Sequence, residues 1–164
     1  MFGQTDTIQA RIEALDLEPI KFKLVKEHGF SNEKVNAIEK WYRRFLYISF
    51  KHRDQSIVVS EAIDDFWHQH ILDTRKYADD CQNIFGALLH HFPYFGLRGE
   101  ADQRALRAAY KNTLELMRAE YGETPEDDLQ ASSDGLDHSG VASSCSDCGG
   151  GEGLSFGERP RLTA

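Results

Sequence analysis

The chain reads as an all-α protein, a compact bundle of four or five helices followed by an acidic Gly/Ser-rich tail. Three observations carry this. Apolar residues recur at three- and four-residue intervals through most of residues 5–121. Gly29, Gly86 and Gly122 stand where helical patterns stop. After Gly122 the aromatic residues almost vanish, Phe156 excepted.

Ile8, Ile12 and Leu15 share one face of a first helix over 5–15. Between Leu17 and Val25 the residues Ile20, Phe22 and Leu24 alternate as in a strand, yet Ile20, Leu24 and Val25 also suit a short helix. Helix is preferred because no partner strand is evident. Ser31 is placed to cap the next helix, with Phe30 and Val35 at the hydrophobic-staple positions. Ile38, Trp41, Tyr42, Phe45 and Ser49 then predict a helix over about 32–52. Ile57-Val58-Val59 is a short extended link. Ser60 caps a long helix over about 61–85, ending at Gly86. Residues 87–96 are rich in histidine and aromatics and turn at Pro93. A last helix over about 100–121 carries Leu106, Ala109, Tyr110, Thr113, Met117 and Tyr121 on one stripe.

The domain expectation is a helical body over 1–121 and a disordered low-complexity tail over 122–164, because the tail has too little apolar surface to offset ordering entropy. The overall charge of −8 is concentrated there: residues 122–164 hold nine acids and two bases, against 18 and 17 in the rest. Neither part offers the basic surface that nucleic acid requires. No window is apolar enough for a membrane span. The N-terminus lacks a basic start and apolar run, which predicts a cytoplasmic protein. Three cysteines do not make a disulfide framework.

Four of the seven histidines lie between Ser60 and Gly96. On a helix, Ile63, Trp67, His70, Thr74, Tyr77, Cys81 and Phe85 fall on one stripe, with His70 near its centre and Asp73 at its edge. His68 is two positions from His70, about 200° of rotation, and points away toward Asp64. The tetrapeptide WHQH is therefore not a ready chelate. The chain bends after Gly86, so His90 or His91 can return toward His70.

The candidate metal ligands are His70 and His90, with His68 or His91 as a third and Asp65 or Asp73 as carboxylate. These are ordinary ligands for zinc or non-haem iron. Tyr77, Trp67 and Cys81 line the same face and would orient rather than ligate. No nucleotide cofactor is expected, since no phosphate-binding loop is present. The competing reading is a non-catalytic interaction module, with the histidines as a buried polar network and the tail contacting a protein partner. Asp64-Asp65 and Asp79-Asp80 read mainly as exposed helix turns, and His68–Asp64 as a surface pair. The tail's Cys145-Ser-Asp-Cys148 supplies only two thiols, either simply exposed or delivered to the histidine site when the tail folds over.

Asp64-Asp65-Phe66-Trp67-His68-Gln69-His70, Thr74, Tyr77, Cys81, Phe85-Gly86 and His90 resemble the glycine-rich domain-containing protein-like family, and His90-His91-Phe92-Pro93-Tyr94-Phe95-Gly96 its small bacterial members. The segment CSDCGGGEGLSFG resembles that family's Gly-rich ending. The resemblance implies that the shared imidazoles serve a metal or active site; it brings no particular activity.

Overall fold

The computed structural model describes residues 4–129, 145–147 and 159–162. The element order is α1 (Gln4–Glu13), α2 (Glu18–His28), α3 (Asn32–Lys51), α4 (Glu61–Leu72), α5 (Thr74–Phe85), β1 (His90–Phe92), α6 (Glu100–Tyr121), α7 (Pro125–Leu129) and β2 (Cys145–Asp147). Among the described residues the protein is all-α apart from one short antiparallel pair, β1 with β2.

Helix α3 is the axis of the molecule. Its Ser31 cap accepts from the Lys34 amide at 3.2 Å, which satisfies one of the first-turn donors a helix leaves open. Val35, Ile38, Trp41, Tyr42, Phe45 and Ile48 are buried along it, and α1, α2, α4, α6 and α7 pack around it. Phe45 meets Trp67 of α4 with ring centroids 4.8 Å apart, and Tyr42 meets Phe66 at the same separation. Arg43 closes the end of α1: its guanidinium donates to the carbonyls of Ile12, Glu13 and Leu15 and is held by Glu39. These carbonyls lie at and just beyond the C-terminal end of α1, where a helix leaves acceptors over, so one side chain does the work of a cap.

A second apolar cluster, Val58, Phe92, Phe95, Leu106 and Tyr110, joins the extended link and the β1 segment to α6. A tight turn precedes α6. Gly96 has φ 89°, and a Cβ there would fall 2.5 Å from Leu106 Cδ2, so only glycine fits. Buried Asp102 holds this turn by accepting from the amides of Gly96 and Arg98 and from the Arg98 guanidinium. Burial alone would raise the carboxyl's pKa, but those donors, Arg98 foremost, hold it below the ordinary value. Asp102→Ala should lower unfolding free energy by about 1–3 kcal/mol through the two orphaned amides, read from denaturant melts. Because the folded pKa is depressed, the carboxylate's contribution is present above the unfolded value of about 3.9 and is lost as pH falls through the folded one.

Two features depart from the expected element plan. The helix expected over 61–85 breaks at Asp73 (φ −82°, ψ 72°) into α4 and α5, and α5 folds back on α4. The helical body also runs past Tyr121. Asp127 reaches back over the start of α7, the Thr124 amide and hydroxyl both donating to its carboxylate at 2.9 and 2.8 Å. Asp128 accepts from Lys40 at 2.8 Å and from the Trp41 indole at 2.9 Å, docking α7 on α3. The first residues assigned to the tail thus belong to the body. Most of the remaining tail, Cys148 included, lies outside the described residues. No helix among the described residues is long and apolar enough to cross a membrane.

Candidate metal centre

Helix α4 carries the WHQH segment, and the 200° between its histidines sends them to different places. His70 goes inward and is 1 % exposed. Its Nδ1 lies 2.7 Å from the Tyr42 hydroxyl and its Nε2 lies 2.9 Å from Asp80 Oδ2. Lys76, one turn before Asp80, pairs with the same carboxylate oxygen at 3.0 Å. Tyr42 donating to Nδ1, with Nε2–H donating to Asp80, satisfies the neutral imidazole completely. Burial holds the His70 pKa below its ordinary value; the bond to Asp80 and its charge oppose this without overcoming it.

The break at Asp73 builds this network. By turning the chain it lets α5 present Tyr77 and Asp80 back to α4. The Trp67 indole donates to Tyr77 Oη at 2.9 Å, and that hydroxyl donates to the Leu89 carbonyl at 2.5 Å. Leu89 is thereby fixed immediately before β1. Cys81 is buried beside this chain of bonds, and burial pushes its thiol up, away from thiolate chemistry.

His68 turns the other way and meets His91 of β1. Their Nε2 atoms are 2.9 Å apart. His91 Nε2 is 3.0 Å from Asp64 Oδ1, and His68 Nε2 is 3.3 Å from Asp64 Oδ2. Asp64 and His68 share a face of α4 because they are four residues apart. His91 arrives from β1 with its ring packed on Trp67, centroids 4.4 Å apart. Asp64 and His91 are largely shielded, whereas the His68 side chain is 44 % exposed. The cluster therefore has a built base and one face toward solvent.

Two imidazole nitrogens and the two oxygens of one carboxylate converge here. Ligands around a tetrahedral zinc with bonds of 2.0–2.1 Å are about 3.3 Å apart, and cis ligands on an octahedral first-row ion are about 3.0 Å apart. The 2.9 Å between the nitrogens, and the 3.0 and 3.3 Å from each nitrogen to its own Asp64 oxygen, are close to these spacings. Two facing imidazole nitrogens need a hydrogen on one ring and a lone pair on the other, so only one ring can donate across the 2.9 Å contact between them.

Among the described residues, Asp64, His68 and His91 form the group of three or more such side chains close enough to hold an ion. Of the ligands expected from sequence, His68 and His91 enter it. His70 instead spends both ring nitrogens on Tyr42 and Asp80, while His90 and Asp73 are exposed, Asp73 at the helix break. Asp65 is half-buried on α4 and outside the group. Asp64 and Asp80 were expected in exposed helix turns. Asp64 is 8 % exposed, and Asp80 bonds a buried histidine. The available signal for Asp64 was its four-residue spacing from His68; its third partner depended on where β1 would fall.

The fold and site together define a helical protein with a two-histidine, one-carboxylate cluster at the meeting of α4 and β1. Residues 9–120 match the UCP032817-like family, and the chain belongs to it. This corrects the resemblance to glycine-rich domain-containing proteins: the matched span is the helical body alone, and CSDCGGGEGLSFG lies outside it. Short Gly-rich endings arise readily from low-complexity composition and carry little information about descent. No curated protein and no solved structure matches the chain.

Proposed function

We propose that the protein binds a first-row divalent metal, zinc or ferrous iron, through Asp64 and the Nε2 atoms of His68 and His91. The observation that carries this reading is the convergence of two imidazoles and one carboxylate: the Nε2 atoms lie 2.9 Å apart, and each meets one oxygen of Asp64, at 3.0 and 3.3 Å. Two imidazoles and one carboxylate are the donor set of zinc hydrolases and non-haem iron oxygenases. Three protein ligands leave coordination positions open, which suits a water or substrate oxygen polarised by the metal more than a closed structural site. His68 borders the solvent face, so those positions lie outward. Trp67 and the Tyr77–Leu89 bond hold the His91 segment in place and keep the inner side of the site apolar.

Metal analysis of protein purified without a polyhistidine tag tests the proposal. The expected result is close to one equivalent of zinc or iron, removed by a chelator with the helical circular-dichroism signal retained. A content below about a tenth of an equivalent after zinc or ferrous iron is supplied would remove it.

A further inference from the structure

Strand β1 carries the ligand His91 at its centre, and its edge is taken by a segment remote in sequence. Cys145–Asp147 pairs with it antiparallel, in the register His90 with Asp147, His91 with Ser146 and Phe92 with Cys145. The other contacts around β1 come from the body: the Tyr77–Leu89 bond before it and Phe92 in the second apolar cluster within it. The residue that bears the ligand therefore shares its backbone with a tail segment.

A two-stranded ladder of three residues is marginal in water without further support. The segment is joined to α7 by the covalent chain, so its docking on β1 is intramolecular. The ladder can thus form and release without the segment leaving the protein. The set of conformations open to His91 depends on whether its strand is paired, and a ligand held in its binding geometry before the ion arrives binds more tightly.

We propose that the Cys145–Asp147 segment is a tethered regulatory strand: its docking on β1 and metal binding at Asp64, His68 and His91 strengthen one another. This rests on the metal-binding reading above. Linkage makes the coupling reciprocal, so whatever factor docking adds to metal affinity, metal adds to docking. Any event that removes the strand from β1 would then weaken the metal site without touching a ligand.

The test uses the full chain and zinc alone as the probe. Ser146→Pro deprives the middle of β2 of its amide and of free extended geometry, while Ser139→Pro, outside the paired segment, is the control. Zinc affinity is measured by competition with a chromophoric chelator. Amide exchange over 90–92 and 145–147 is followed in the unmodified chain with and without zinc. Ser146→Pro should weaken zinc binding about fivefold or more, Ser139→Pro should not, and zinc should slow exchange across 145–147 by a similar factor. Equal zinc affinity in all three chains, or exchange at 145–147 indifferent to zinc, overturns the coupling and leaves the metal site standing. Failure of all three chains to bind zinc overturns both.

Discussion

His70→Ala should lower the unfolding free energy by about 3–5 kcal/mol and leave metal content unchanged. The magnitude has two sources. Removing a fully enclosed imidazole leaves a void between Tyr42 and Tyr77, whose rings meet it edge-on. It also strands the Tyr42 hydroxyl and one lobe of the Asp80 carboxylate, both now bonded to the ring; buried polar groups without partners are costly. The metal should stay because neither ring nitrogen of His70 faces Asp64, His68 or His91. Denaturant melts with parallel metal analysis read both halves, and loss of metal from a variant that remains folded would show His70 to be part of the centre.

His91→Ala should behave in the opposite sense. We expect metal affinity to fall about 100-fold or more, since even partners that merely orient a ligand are commonly worth 10–100-fold. Stability measured in chelator should fall by only about 1–2 kcal/mol, because the polar contacts of the ring named above lie within the cluster and strand no group of the core. The packing of the ring on Trp67 accounts for most of that loss. Affinity within threefold of the parent would remove His91 from the site. The two substitutions would separate the histidines by role: His70 stabilising the body and, on the proposed reading, His91 ligating.

Much of this was visible in the residues. The periodicities around Trp41 and Leu106, the Ser31 cap and the glycine stops place α3 and α6 nearly to their ends. The rotation argument within WHQH separates His68 from His70, and the structure places them on different sides of α4. The break at Asp73 was not visible. Neither proline nor glycine marks it, and the stripe from Ile63 to Phe85 continues in register across it, so helical spacing alone reads one long rod. The packing of α5 onto α4, through Trp67–Tyr77 and His70–Asp80, is a tertiary preference that overrides local pattern. Helix α7 did leave a signal, the capping pattern Thr124-Pro-Glu-Asp127, concealed by the acidic composition around it. The triad depended on β1, three residues whose position follows from Tyr77 holding Leu89 and could not be reached from spacing.

The fold-back at Asp73 also bears on the order in which the protein assembles. The bonds that tie α4, α5 and Leu89 together close loops of 10, 10 and 12 residues, whereas the contacts that join His91 to His68 and Asp64 close 23 and 27. Loop-closure entropy grows with the logarithm of loop length, so bringing Asp64 to His91 costs about 0.9 kcal/mol more than bringing His70 to Asp80. Once the hairpin has closed, Leu89 is anchored and most of that longer search has been eliminated. On the proposed reading the ligands are gathered by a scaffold that forms from local contacts, and a metal would enter a nearly finished protein, unlike the zinc finger, whose folding the ion itself must drive.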